Sequence, residues 1–105
     1  MFSKIINTLF PKKEVIDLKS IIAQGAMLVD VRNPDEYKSG HVKGSVNIPL
    51  DQISQRLDRF KNKNTIVVFC RSGARSKMAQ SILKSNGVTN VINGGGWQEV
   101  NQFVK

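Results

Sequence analysis

The segment that most constrains the fold is Thr65–Phe69, with the sequence TIVVF. It is short, largely β-branched and uncharged, and a polar turn over residues 61–64 precedes it. A run of this kind is typical of a parallel strand covered on both faces, whereas a strand with one solvated face alternates apolar and polar residues. The segment therefore predicts a central strand in a sheet that has helices on both sides.

Strand and helix patterns alternate along most of the chain. The predicted strands are Glu14–Ile16, Met27–Val31, Ser45–Ile48, Thr65–Phe69 and Val88–Ile92. The predicted helices are Asp17–Gln24, Asn33–Gly40, Asp51–Phe60, Ser76–Ser85 and Trp97–Val104, and Gly94–Gly96 is expected to turn the chain. This alternation favours one α/β domain with a mostly parallel sheet.

The first ten residues have apolar side chains at helical spacing, at positions 2, 5, 6, 9 and 10. We expect residues 1–13 to be an amphipathic helical extension of a domain that spans residues 14–105. Docking onto the domain's own core is the favoured role, with contact to a second subunit or to a membrane surface as alternatives. The segment lacks the features of a secretory signal, and no apolar run could span a membrane, so we expect a cytoplasmic protein.

The charge and the cysteine count exclude several classes of protein. The 105 residues carry a net charge of +8, spread along the chain, which indicates a solvated surface that can also attract anionic substrates. No motif typical of nucleic-acid binding accompanies that charge. One cysteine and one histidine exclude an internal disulfide framework and argue against a structural zinc site. We therefore expect no metal, no nucleic acid and no transmembrane segment.

Cys70 is the residue best placed to carry out chemistry. It ends the predicted central strand, and ligands of such sheets bind at the carboxyl ends of strands. Backbone N–H groups of the following segment, the start of a helix, and the charges of Arg71 and Arg75 would all favour the thiolate. A buried structural cysteine is the alternative, but the sequence RSGARS after Cys70 is polar and rich in small residues. We therefore interpret Cys70 as a nucleophile.

The chain resembles the single-domain rhodaneses, a family of sulfurtransferases. The resemblance rests on short motifs that occur in the family's order: Asp30-Val31-Arg32, Glu36-Tyr37, Gly40-His41-Val42, Gly44–Pro49, Cys70–Ser76 and Gly94-Gly95. It implies a five-stranded parallel sheet and a catalytic Cys70 that carries sulfur as a persulfide without a cofactor. It also implies a persulfide-binding loop of Arg71, Ser72, Gly73, Ala74 and Arg75, with Ser76 opening the next helix.

The resemblance implies that a small anionic donor such as thiosulfate supplies the sulfur and that cyanide, a thiol or a protein thiol accepts it. Two alternatives stay open. One is a non-catalytic module of the same fold that binds a partner. The other is a phosphatase or arsenate reductase, which is disfavoured because those relatives have one more residue between the cysteine and the arginine.

Several further residues are expected to support the site. Asp30 is a candidate acceptor of loop hydrogen bonds, and Arg32 is a candidate partner of Glu36. Arg71 is expected to point outward and attract anions. Arg75 has two candidate roles, which are binding thiosulfate and holding the loop. His41 is expected to be a hydrogen-bonded structural residue rather than a base.

Overall fold

The computed structural model describes residues 16–104. Four helices and four strands follow one another along this part of the chain. They are α1 (Leu18–Ala23), β1 (Met27–Asp30), α2 (Pro34–Ser39), β2 (Val46–Asn47), β3 (Ile66–Cys70), α3 (Ala74–Ser85), β4 (Val91–Gly96) and α4 (Trp97–Asn101). Two 3₁₀ helices, Leu50–Gln55 and Leu57–Phe60, lie between β2 and β3.

The sheet is parallel throughout, with the strand order β2-β1-β3-β4. The α/β fold with a parallel sheet is confirmed, and the described residues form four of the five expected strands. Most of the remaining one, Glu14–Ile16, lies outside the described residues, and Ile16 itself is not in a strand. The amphipathic helix over residues 1–13 also lies outside the described part and stays a prediction.

The central position of β3 is confirmed by its burial. All five of its residues are 1% exposed or less. Ile66, Val68 and Cys70 belong to the core on one face of the sheet, together with Leu83 of α3. Val67 and Phe69 belong to the core on the other face. The two faces are covered because parallel strands joined by helical crossovers receive helices on both sides.

The segment predicted as one helix over Asp51–Phe60 is instead two 3₁₀ helices. They are separated at Arg56, and backbone bonds such as Arg56 N–H to Ile53 O span three residues. In each short helix the apolar residues are three positions apart, Leu50 and Ile53 in the first and Leu57 and Phe60 in the second. A helix with three residues per turn places each such pair on one side.

The glycine run Gly94–Gly96, expected to turn the chain, instead forms the second half of β4. A Cβ atom at Gly94 would lie 2.8 Å from Val67 Cγ1 and 3.0 Å from Val100 Cγ2. Gly94 is also the extra residue of an irregularity in the β3–β4 register, where Val68 pairs with Asn93 and Phe69 with Gly95. Close approach of the neighbours, and not a turn, accounts for glycine here.

Two smaller expectations about the helices are also wrong. The helix α3 begins at Ala74, before Ser76, because Gly73 takes the left-handed conformation (φ 101°) and lets the chain enter the helix early. Within this helix Met78 is 58% exposed. Ser76, Ala79 and Leu83 are buried instead. The last helix ends at Asn101 rather than Val104.

Candidate active site

Cys70 lies where β3 ends and the chain enters the loop before α3. The loop folds back over the sulfur, and the Gly73 N–H donates a hydrogen bond to Cys70 Sγ at 3.0 Å. Gly73 can do so because its positive φ turns the N–H inward, a conformation that favours glycine. Cys70 is 1% exposed, whereas Arg71 and Ser72 beside it are exposed. A reagent must therefore approach the sulfur through this loop.

Ser76 lies beneath the loop and is fully buried. Its Oγ is 3.6 Å from Cys70 Sγ, 3.1 Å from Gly73 O and 2.7 Å from Asn93 Oδ1. The Asn93 side chain joins the loop to β4, since its Nδ2 donates to Gly73 O at 3.2 Å. These contacts hold the backbone that surrounds the sulfur.

Two opposing effects act on the pKa of Cys70. Burial raises it, because a charged sulfur is harder to accommodate away from water. Hydrogen bonds to the sulfur lower it and outweigh the burial, so the pKa lies below its ordinary value. The groups that donate to the ionised sulfur are, in decreasing order, the Ser76 hydroxyl and the backbone N–H groups of Ser76, Ser72 and Gly73. The site therefore favours the anionic, nucleophilic form of the sulfur.

Close contacts between glycine backbones place the loop against β4. A Cβ atom at Gly73 would lie 3.4 Å from Gly95 Cα, and one at Gly96 would lie 2.9 Å from the carbonyl oxygen of Arg71. The contact at Gly96 is too close for a side chain, so the loop can lie on β4 there because residue 96 is glycine. This gives the glycine run a role at the site.

Arg75 forms an ion pair with Glu36 of α2. Arg75 Nη1 lies 2.7 Å from Oε1, and Nη2 lies 3.0 Å from Oε2. The hydrogen bonds from Arg75 lower the pKa of Glu36 to about 2. Glu36 Oε1 also accepts the backbone N–H of Asn33 at the start of α2. Arg75 thus fastens the first turn of α3 to α2.

Asp30 and Arg32 form a second, buried ion pair at the end of β1. Arg32 Nη2 lies 2.8 Å from Asp30 Oδ2, and the two residues are 4% exposed or less. The same guanidinium donates to Gly40 O at 2.6 Å and lies 4.6 Å from the centre of the Trp97 ring. Its buried charge is therefore compensated on several sides.

A polar groove of about 270 Å³ runs beside the loop. It is lined by Arg32, Glu36, Ser39, Arg71, Trp97 and Gln98. Arg71 forms no ion pair with the described residues, so the groove presents positive charge to solvent. Among residues 16–104 no cluster of acidic, histidine or cysteine side chains could hold a metal. No helix in the same range has the length and apolar character needed to cross a membrane.

The sequence model of the rhodanese-like domain family matches residues 14–102, nearly the whole chain. The chain belongs to the rhodanese-like domain family. Among its relatives, thiosulfate sulfurtransferase PspE of Escherichia coli is 39% identical over 74 residues, a match that covers 69% of this chain and 71% of PspE. The uncharacterised protein YqhL of Bacillus subtilis is 38% identical over 68 residues, or 65% of this chain but only 54% of YqhL.

A solved structure is similar as well. The human single-domain sulfurtransferase TSTD1 superposes with a TM-score of 0.70 at 30% identity, covering 85% of this chain and 93% of TSTD1. The rhodanese fold expected from the motifs is therefore shown. Two of these similar proteins, PspE and TSTD1, are named sulfurtransferases.

The structure brings the predicted rhodanese loop together around Cys70 but corrects three of the expected partners. Asp30 accepts from Arg32 and not from the loop. Arg32 pairs with Asp30, leaving Glu36 to Arg75. Arg75, expected to bind thiosulfate or to hold the loop, has Glu36 as its partner.

Two other expectations agree with the contacts. Arg71 is exposed beside the groove. His41 is hydrogen-bonded, with Nδ1 2.9 Å from Tyr37 O, and its ring stacks on Tyr37.

Asn93 is a site residue that the sequence reasoning missed. Its only sequence signal was its place immediately before Gly94 in the glycine run, and that run was interpreted as a turn. An asparagine beside a turn is common and indicates no site, whereas Asn93 lies on a strand next to the loop. The register of β4 was needed to distinguish the two.

Proposed function

We propose that this protein is a sulfurtransferase that carries sulfur as a persulfide on Cys70. The observation that supports this most is the position of Cys70 at the end of the central strand, with the Gly73 N–H 3.0 Å from its sulfur. N–H groups of such a loop can stabilise negative charge on the cysteine and on an outer sulfur bonded to it. The names of relatives such as PspE support the same reaction class.

The proposed reaction has two half-reactions. The Cys70 thiolate attacks the outer sulfur of a donor such as thiosulfate. A sulfur–sulfur bond forms to the enzyme, the bond inside thiosulfate breaks, and sulfite leaves with the electron pair. An acceptor, either cyanide or a thiol, then attacks the outer sulfur, and Cys70 leaves as the thiolate. Donor and acceptor react in turn, so the kinetics should be ping-pong.

The chain's side chains have distinct roles in this proposal. Cys70 is the nucleophile, and the loop residues Ser72, Gly73 and Ala74 supply the backbone around the outer sulfur. Arg71 raises the local concentration of the anionic donor. No cofactor takes part. Because thiol acceptors stay reduced in the cytoplasm, we include a cytoplasmic location in the proposal.

Phosphate ester hydrolysis is less well supported. Four residues separate Cys70 from Arg75, and the guanidinium of Arg75 is engaged by Glu36 at two points. That arrangement directs the arginine to a carboxylate of its own chain. A small loop and an engaged arginine suit one added sulfur better than a tetrahedral oxyanion.

A mass spectrum after thiosulfate treatment tests the proposal. Because Cys70 is the only cysteine, the expected result is one added sulfur, which a reducing thiol removes. The folded Cys70→Ser variant should gain no mass and show no thiosulfate:cyanide activity. Transfer by that variant, or no sulfur on the wild-type protein, would exclude the persulfide mechanism.

A further inference from the structure

A hydrogen-bond network behind Cys70 depends on a single hydroxyl proton. The oxygen of Ser76 lies within reach of three acceptors, namely Asn93 Oδ1, Gly73 O and Cys70 Sγ. A serine hydroxyl has one proton and donates one hydrogen bond at a time. The three acceptors therefore compete for that proton, and the outcome affects the sulfur.

The neighbours of Asn93 fix the orientation of its amide. The Gly95 N–H donates to Asn93 Oδ1 at 3.0 Å, and Asn93 Nδ2 donates to Gly73 O at 3.2 Å. If the amide were reversed, Asn93 Nδ2 would face the N–H of Gly95, donor against donor. Its Oδ1 would face the carbonyl oxygen of Gly73, acceptor against acceptor. Oδ1 therefore faces Ser76, and since an amide oxygen only accepts, the 2.7 Å contact requires the Ser76 hydroxyl to donate.

Gly73 O is already satisfied without Ser76. Its two acceptor sites receive the Lys77 N–H, at 3.0 Å, and Asn93 Nδ2. The competition is therefore between Asn93 Oδ1 at 2.7 Å and Cys70 Sγ at 3.6 Å. The shorter contact has the usual length of an O–H···O bond. The Ser76 hydroxyl therefore donates to Asn93 Oδ1, and a lone pair of Ser76 Oγ faces the sulfur.

That arrangement suits a thiol, which can donate its S–H to the Ser76 lone pair. It does not suit a thiolate, because the lone pair then faces a negative charge. To stabilise the anion, the Ser76 hydroxyl must turn toward the sulfur and give up its bond to Asn93. The Asn93 acceptor therefore opposes the stabilisation that Ser76 offers to the anionic sulfur.

We propose that Asn93 is a positioning residue that competes with Cys70 for the Ser76 proton and so limits how strongly the site holds its sulfur as an anion. The role of Asn93 in catalysis rests on the proposed function, in which Cys70 is the nucleophile. A thiolate that is held more weakly is a better nucleophile, because nucleophilicity falls as the pKa falls. Asn93 would thus preserve the reactivity of Cys70.

Charged groups around Cys70 do not obscure the test. Arg75, on α3, is the cation whose charge interacts with the sulfur. Arg71 follows Cys70 in the loop, Glu36 of α2 pairs with Arg75, and Asp30 at the end of β1 pairs with Arg32. Strand β4 carries no charged residue. Substitution of Asn93 or Ser76 by Ala changes none of these charges.

A double-mutant cycle on the Cys70 titration tests the proposal, with the ultraviolet absorbance of the thiolate as the signal. Asn93→Ala should lower the Cys70 pKa by about half a unit to one unit, a three- to tenfold gain in thiolate below that pKa. In the Ser76→Ala background the same substitution should no longer lower the pKa, because no hydroxyl proton is left to be released. A residue that only braced the loop would raise the pKa when removed. An unchanged or raised pKa, or an equal fall without Ser76, would overturn the proposal.

A measurement on the wild-type protein covers the case in which Asn93→Ala does not fold. The side-chain amide signals of Asn93, followed by nuclear magnetic resonance, should shift with the titration of Cys70. The reason is that Asn93 Oδ1 loses its hydrogen bond from the Ser76 hydroxyl as the sulfur ionises. The shift should vanish in Cys70→Ser. If the amide signals do not change as Cys70 titrates, Asn93 and Cys70 do not compete for the Ser76 hydroxyl proton. Neither titration requires sulfur transfer, so failure here is distinct from failure of the proposed function.

Discussion

Arg75 and Glu36 lie 39 residues apart in the chain, yet their side chains meet at two points, with N–O distances of 2.7 and 3.0 Å. Arg75 belongs to the first turn of α3, directly after the loop that covers Cys70, and Glu36 belongs to the first turn of α2. The pair therefore ties the loop's exit to a separate helix. Both side chains are about one-third exposed, at 32% and 31%, so solvent weakens their attraction.

Glu36→Gln should lower the free energy of unfolding by about 0.5–1 kcal/mol, the range of a partly exposed ion pair. The matched control is Asp35→Asn. Asp35 lies in the same first turn of α2 but forms no ion pair with the described residues, so both variants lose the same favourable helix-end charge. Urea denaturation compares the two. Equal losses of stability would mean that the contact with Arg75 contributes nothing.

The Glu36 contribution should also depend on pH in a defined direction. Glu36 titrates at an ordinary value of 4.5 when unfolded and at about 2 when folded, because Arg75 stabilises its carboxylate. A pKa lowered by folding adds stability that is fully present above the unfolded value and is lost as the pH falls through the folded one. The stability difference between wild type and Glu36→Gln should therefore be constant near neutrality and shrink between pH 4.5 and pH 2. A difference undiminished at the lower limit would contradict the assignment.

The sequence identified the central strand and the cysteine because both are marked by local pattern. Four apolar residues followed by Cys70 and a polar loop can be interpreted without knowledge of any distant residue. The ion pairs could not be assigned in this way. Arg32 was the expected partner of Glu36, and only the structure shows that Arg75, 39 residues away, takes that place.

The glycine run shows a different limit of sequence interpretation. Glycine is used both where the chain turns and where another backbone approaches closely, and the two uses look alike in sequence. The β3–β4 register places Gly94 against Val67. The same register places Asn93 within hydrogen-bond distance of Ser76. Interpreting the glycine run as a turn therefore also prevented the identification of Asn93 as a site residue.

Gly94→Ala should destabilise the protein by about 1–3 kcal/mol, the usual cost of an atom forced into a filled core. The added Cβ would lie 2.8 Å from Val67 Cγ1, and Gly94 is not in the left-handed region, so crowding alone causes the loss. A second substitution, Val67→Ala, removes the closer of the two crowding methyl groups. Denaturation of both single variants and the double variant should give less than additive losses. Strict additivity would place the crowding elsewhere.

Arg71→Ala should raise the KM for thiosulfate severalfold and leave kcat nearly unchanged. Arg71 is exposed beside the polar groove, and its charge is free to attract an anion before any bond to sulfur forms. Attraction through solvent is largely screened beyond a Debye length, which is about 10 Å at 0.1 M salt. The gap between wild type and variant should therefore close as the ionic strength rises.

The control for Arg71 is Lys84→Ala, which removes one positive charge from the far end of α3, where Lys84 is exposed. It lowers the net charge by the same amount, so any effect of total charge appears in both variants. Steady-state rates at several salt concentrations distinguish attraction by the charge of Arg71 from attraction by the net charge of the whole protein. If Lys84→Ala raises KM as much as Arg71→Ala, the whole basic surface attracts the donor. If the loss in Arg71→Ala persists at high salt and falls on kcat, the residue maintains the shape of the loop and does not attract the donor.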